Sequence, residues 1–304
     1  MEMPYHVQVG GSLSGKEEAH IQSIIATSFA FIHACFNHWN PKSELSLINQ
    51  LAPLEKKKVS PRLLQLFLAA EEIALLSEGR FNPSLGSIIS LWKKALVKSE
   101  KIDPALLESM QHNLLGNPIS IKNGIICKKV PIQFDFDGIA KGLGIDLILE
   151  RLRLSGYHHL YVDWAGDIAT SGKHPSGRYW QIAIRNPFSH TADAEIIPLT
   201  HSAIATSGDY EQYWEIDGKK YCHIINPHTL YPMEIHEGSI ASVTVMAPSC
   251  ALADGLATSA MTFSKIENLV AWARKVKRTM PTLSFWIFER DCSNGELGVK
   301  KHKI

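Results

Sequence analysis

The segment ADGLAT places Asp254 and Thr258 four residues apart in a stretch of helical character. At that spacing a carboxylate and a hydroxyl project from one helix face. Paired hard oxygens suit magnesium, and a hydrogen-bonded Asp and Thr near a helix terminus is the other reading of the same spacing. Gly138, Lys141, Gly142 and Gly144 crowd the start of a second predicted helix. Free backbone N–H groups and the positive dipole end favour an anion such as pyrophosphate there, while a tight helix–sheet contact would explain the same glycines. Neither the P-loop nor the dinucleotide glycine pattern is satisfied, because Lys141 is followed by Gly142-Leu143 and Leu147 stands where a third glycine is required.

Asp135 and Asp137 lie two apart in FDFDG, so in a strand they share one face and offer carboxylates to a ligand's polar edge or a cation; solvated strand carboxylates are the alternative. Asp137 is the better candidate, being nearer the glycines. His223 closes a predicted hairpin strand just before Asn226-Pro227, a place from which an imidazole can act as general base on a hydroxyl. It is one of 14 histidines, so its position alone does not single it out. Asp209 and Tyr210 in TSGDY form a polar cluster that also reads as a plain turn. GxSxG and HExxH are absent, which weighs against hydrolase and zincin chemistry.

Elements must position these groups. Ile21, Ile25, Phe29, Ile32 and Phe36 make one helical stripe over residues 19–36. Ser60, Pro61 and Gly79 mark N-cap, N1 and C′ of a further helix. FDFDG reads as a strand end entering a turn, and a helix then closes near Gly156. HLYVDWAGDI, WQIAIRNP and AIATS read as strands, and YWEI and KKYCHII flank Asp217-Gly218 as a hairpin. SIASVTVMAP is a strand, CALADGLATSAMTF a small-residue helix, and LSFWIFER a final strand. Ser264 and Glu267 have capping-box spacing for the helix between them. The pattern predicts an α+β fold with mixed, largely antiparallel sheets and packed helices, as a single domain over residues 1–304.

With 45% apolar residues the chain can bury a large core. Thirty-one basic against 30 acidic residues leave a net charge of +1, so no global field draws it to nucleic acid or an anionic membrane. The five cysteines lack CxxC spacing and are expected to be buried thiols. The opening MEMPYHVQVG has neither a basic n-region nor an apolar h-region, and no apolar run approaches the about 18 residues that span a bilayer. The expectation is a soluble chain without a visible leader.

Taken in order, SELSLIN, RFNPSLGSIISLW, FDFDGIAKGLGID, VDWAGDI, AIATSGDYEQY, HIINPHT and ADGLAT resemble the ApbE family of FAD:protein FMN transferases. The resemblance implies an α+β protein that binds FAD and magnesium, transfers FMN to a Thr or Ser hydroxyl of a membrane redox subunit, and releases AMP. It implies Asp254, Thr258 and the backbone oxygen of Ala140 as magnesium ligands and His223 as the catalytic histidine. Asp137 and Leu143, with Lys141, Asp209 and Tyr210, are then expected at FAD. The acceptor segment is expected to carry Asp three residues before the modified Thr or Ser, and family habit implies a periplasmic or inner-membrane-associated place. An FAD pyrophosphatase giving FMN and AMP, or a non-catalytic FAD-binding protein, would share the fold. Asn226, Leu230, Asn82 and Ala165 replace a usual Asp, Gly, Asp and Gly of the family pattern. Loss of a glycine at 230 is expected to send the following loop along another path.

Overall fold

The structure, a computed structural model, describes residues 3–98, 100–114, 118–189, 193–209, 213–216, 218–291 and 298–304. Strand β1 (Tyr5–Val9) leads into α1 (Gly15–Cys35), entered through a capping box of Ser14 and Glu17. Ile21, Ile25 and Ile32 of the predicted stripe are buried on its inner face. After α2 (Glu44–Asn49) and β2 (Lys56–Lys58), α3 (Pro61–Leu76) starts where expected, with Ser60 accepting from Leu63 N. Its exit differs: Ser77 is the C-cap, so Glu78, with φ 56°, takes the left-handed C′ position expected of Gly79. Then follow α4 (Gly86–Lys98), α5 (Pro104–Leu114), and the paired β3 (Ile119–Lys122) and β4 (Ile125–Lys128).

FDFDG is not a strand end. Asp137 N donates to Asp135 Oδ1 at 2.9 Å, an Asx turn that delivers the chain into α6 (Asp137–Leu154). The predicted sheet region follows as β5 (Leu160–Trp164), β6 (Asp167–Ser171), β7 (Trp180–Arg185), β8 (Asp193–Leu199), β9 (Ala203–Gly208), β10 (Tyr213–Ile216), β11 (Lys219–Ile225), β12 (Pro232–Ile235) and β13 (Ile240–Ala247). The chain closes with α7 (Cys250–Ala260), α8 (Ile266–Thr279), β14 (Ser284–Asp291) and β15 (Gly298–Lys303). The capping box expected at Ser264 is not formed: α8 begins one residue later, with Lys265 as N-cap and no side-chain cap bond.

Seven strands form one antiparallel sheet in the order β1-β5-β6-β9-β13-β14-β15. Helices α6 and α7 pack on one face. The β7–β8 hairpin covers the other, pressing Trp180, Ile182 and Ile184 onto Ile168, Ile204, Trp286 and Phe288. The alternating burial of β7 is what a half-buried strand requires. This is the α+β arrangement of helices and antiparallel sheets that the pattern predicts. Among the described residues no helix is long and apolar enough to cross a membrane. Four cysteines are described and free; Cys35, Cys222 and Cys250 are buried and Cys127 is half-buried.

Two details of packing position the site. A Cβ on Gly142 would lie 2.5 Å from the Cys250 carbonyl oxygen and 2.8 Å from Ala251 Cα, so α6 and α7 approach more closely than side chains would allow. Strands β6 and β9 pair only at Ile168–Ile204 and Ala169–Ala203. Beyond that point the ladder ends, and Thr206 N bonds instead to the side chain of Asp167, at 3.3 Å.

Candidate active site

A cavity of about 1000 Å³ lies beside this parting of the sheet, at the upper end of the size range of small-molecule sites and wide enough for a dinucleotide. Gly138 and Lys141 of α6, Asp254 and Thr258 of α7, the β9 segment 206–208, and His223 of β11 all border it. Four elements whose contributing residues span 120 positions of sequence, from 138 to 258, thus border one cavity.

Asp254 is 5% exposed and accepts from Gly142 N at 3.2 Å. Burial, reinforced by the nearby Asp167 charge, pushes its carboxyl well above the usual range, against the pull of Lys141. Thr258 Oγ1 lies 3.3 Å from Ser207 Oγ. A Cβ on Gly138 would come within 2.9 Å of Thr258 Oγ1, so the first turn of α6, which carries Ala140, abuts that hydroxyl. The oxygen donors bordering the cavity here are the Asp254 carboxylate and the Ser207 and Thr258 hydroxyls. An all-oxygen set with a buried carboxylate in need of positive charge fits magnesium.

Lys141 Nζ stands 2.7 Å from Asp167 Oδ2. Burial alone would lower the pKa of Lys141, but the Asp167 and Asp254 charges outweigh it and the group is held protonated. The dual reading of the glycines resolves unequally: Gly142 and Gly144 serve close packing, Gly144 against Trp164 and Ile32, while Gly138 and Lys141 face the cavity. Asp137 also borders the cavity and lies 3.3 Å from His38 Nδ1. Crowding by the wall and the Asp135 charge push it upward, opposed by His38 and Lys93, but its side chain is 60% exposed and water screens the shift.

His223 sits where β11 bulges against β12, in the register shift between Tyr221 and Ile225. Bulges re-aim a side chain, and here Cys222 and Ile224 are buried while His223 is exposed at the cavity wall.

Other expected residues are placed elsewhere. Leu143 follows Ile139 and precedes Leu147 at helical spacing, and its side chain is in the core, 8% exposed. Asp209 is 3% exposed and accepts two bonds of 2.7 Å from Arg290. Its carboxylate is engaged as a structural ion pair and does not border the cavity. Tyr210 lies outside the described residues.

The departures from the family pattern are accommodated in the backbone. Leu230 adopts φ 61° and Ala165 φ 51°, the left-handed conformations a glycine would take. The loop after β11 therefore does not need a different path for lack of a glycine. Leu230 is fully buried against Leu85, Ile88 and Trp92, and its carbonyl accepts from Trp92 Nε1 at 2.7 Å. Asn226 accepts from His228 N and donates its amide to the Thr262 carbonyl, a donation that an ionised Asp could not make. Asn82 accepts from Ser84 N beside the cavity.

Sequence reasoning missed Asp167, Ser207 and Arg80. Arg80 borders the cavity, donates to the Thr262 carbonyl at 3.1 Å and stacks on Phe263 at 3.6 Å. A polar residue opening a strand after a turn is the only local signal for Asp167, and that signal is unspecific.

The ApbE family pattern matches residues 1–282. An FAD:protein FMN transferase of Chlamydia muridarum is 38% identical over 280 residues, covering 90% of this chain and 86% of the relative. An FAD:protein FMN transferase of Vibrio cholerae is 34% identical over 239 residues, covering 77% and 71%. A solved structure, a His-to-Gly mutant of the flavin transferase ApbE from Vibrio cholerae, superimposes with a TM-score of 0.82 at 28% identity, covering 98% of this chain and 93% of that one.

Proposed function

The chain belongs to the ApbE family, and from that premise we propose that it is an FAD:protein FMN transferase that moves FMN from FAD onto a Thr or Ser hydroxyl of a redox protein, releasing AMP. The observation that carries the reading is the convergence of Asp254, Thr258, Lys141 and His223 on one cavity of dinucleotide size.

Asp254, Thr258 and the Ala140 carbonyl would hold magnesium, which when bound neutralises charge on the pyrophosphate. His223 takes the proton from the acceptor hydroxyl, whose oxygen then bonds to the FMN-side phosphorus. The bond from that phosphorus to the bridging oxygen breaks, and AMP departs with the bonding pair. Lys141, held protonated at the wall, faces the phosphate oxygens as their negative charge shifts towards the leaving group. Asp137 meets FAD from the cavity mouth. The whole of residues 1–304 acts as one transferase unit. Its acceptor is taken to be a membrane redox subunit with an Asp-x-x-Thr or Asp-x-x-Ser segment, met on the periplasmic side.

Mass spectrometry of such an acceptor peptide, incubated with protein, FAD and magnesium, tests this directly. A gain of one FMN that disappears with EDTA is expected. Free FMN and AMP with an unlabelled peptide would identify a pyrophosphatase instead, and unchanged FAD a carrier.

A further inference from the structure

Asp167 has no part in the chemistry above, yet it is 1% exposed and sits at the point where the sheet parts beside the cavity. Its two oxygens do different things. Oδ1 accepts from Thr206 N at 3.3 Å and so stands in for the missing β6–β9 ladder bond. Oδ2 meets the Lys141 ammonium at 2.7 Å and, among the described residues, has no other donor. Leaving a buried carboxylate with one bond to a backbone amide and one bare oxygen would be costly unless a cation were held against it.

The geometry constrains Lys141 more than Asp167. A lysine carries four rotatable bonds and three equivalent protons, and at an open cavity wall it would sample many positions. Here its side chain is 22% exposed and its ammonium is tied to a rigid strand end. The Asp254 charge adds a second, weaker attraction. We propose that Asp167 is a positioning residue: its buried carboxylate fixes the Lys141 ammonium at the cavity wall, where that cation binds the phosphates of FAD. The inference rests on the transferase reading for the identity of the ligand. It assigns to the residue after the β5–β6 turn the task of presenting a pre-ordered cation, so that little side-chain freedom is lost when the dinucleotide arrives.

A double-mutant cycle on FAD binding, followed by flavin fluorescence at fixed magnesium and salt, separates positioning from plain stabilisation. Asp167→Asn keeps an oxygen for Thr206 N but removes the charge on Lys141. Asp167→Ser is smaller and also neutral, and guards against a defect peculiar to asparagine. Each single variant is expected to weaken FAD binding at least about tenfold, the scale of a charge-assisted hydrogen bond, with little change in thermal melting. Lys141→Met is expected to weaken FAD binding to the same degree and, unlike the Asp167 variants, to lower the melting temperature, because it leaves the buried Asp167 carboxylate without its cation. Combining Asp167→Asn with Lys141→Met should weaken binding no further than Lys141→Met alone, because the carboxylate then has nothing to position. Wild-type affinity in Asp167→Asn, or losses that multiply in the double variant, would overturn the proposal. Failure of both Asp167 variants to fold would also overturn it, making the residue a sheet fastener. A wild-type protein that binds no FAD would sink the transferase reading as well, which distinguishes the two failures.

Discussion

His223 owes its placement to a bulge and its exposure to alternation along β11, with Cys222 and Ile224 pointing into the core. Removing the imidazole should therefore leave the cavity intact. His223→Ala is expected to slow transfer roughly 10² to 10⁴-fold, the worth of a general base, with FAD affinity changed less than about twofold; transfer rates and a fluorescence titration check both. Leu230 shows a second residue-scale balance. Its left-handed backbone carries strain of about 1–2 kcal/mol, whereas truncating a fully buried leucine costs about 2–5 kcal/mol. Leu230→Gly is accordingly expected to destabilise the protein by about 1–3 kcal/mol in urea unfolding, although glycine suits the backbone better.

At the scale of elements, the contact between α6 and α7 would set the geometry of the proposed magnesium site, since Ala140 rides on one helix and Asp254 and Thr258 on the other. Gly142 is the contact point, and what a side chain there would strike is the backbone of Cys250 and Ala251, which cannot rotate away. Gly142→Ala is expected to cost about 1–3 kcal/mol through overpacking. Because it also moves the two halves of the ligand set apart, magnesium-dependent FAD binding should fall more steeply than the melting temperature suggests. A variant that melts lower but binds FAD and magnesium normally would show that the helices can separate without disturbing the site. The parting of β6 from β9 is the companion feature, opening the sheet where the cavity needs room.

Across the whole molecule, buried carboxylates make stability depend on pH in an unusual direction. Asp146 accepts from Cys250 N and Ala251 N, yet desolvation pushes it from 3.8 up to about 6, those two bonds resisting the shift. Between about pH 4 and 6 the folded protein keeps this proton and the unfolded chain does not. Stability from this group is therefore greatest at the acid end, falls as pH rises through the window and is level above it. The difference in unfolding free energy between wild type and Asp146→Asn should shift in favour of the variant from pH 4 to pH 6. Denaturation at several pH values checks this, and a constant difference would show that Asp146 titrates at its ordinary value.

Local patterns along the chain sufficed for the stripe of α1, the N-cap of α3, most strands between 160 and 247 but not β8 or β12, and the i, i+4 pairing of Asp254 with Thr258, because periods of 3.6 and 2 and cap residues are properties of a few neighbours. The same reasoning placed His223 on a strand and, with the ordered motifs, pointed to the family. It overran at FDFDG, where an Asx bond replaced a strand, and at Ser264, where the helix starts a residue late. The resemblance set Leu143, with its neighbouring backbone, and Asp209 at the ligand; helical phase turns the Leu143 side chain into the core, and Arg290, 81 residues on, pairs with the Asp209 carboxylate. Asp167 was invisible because its meaning comes from Lys141 and Thr206, which are remote in sequence. Which carboxylate is buried, which lysine it holds and where a sheet parts are decided only when distant segments pack, since burial and pairing are properties of the assembled interior.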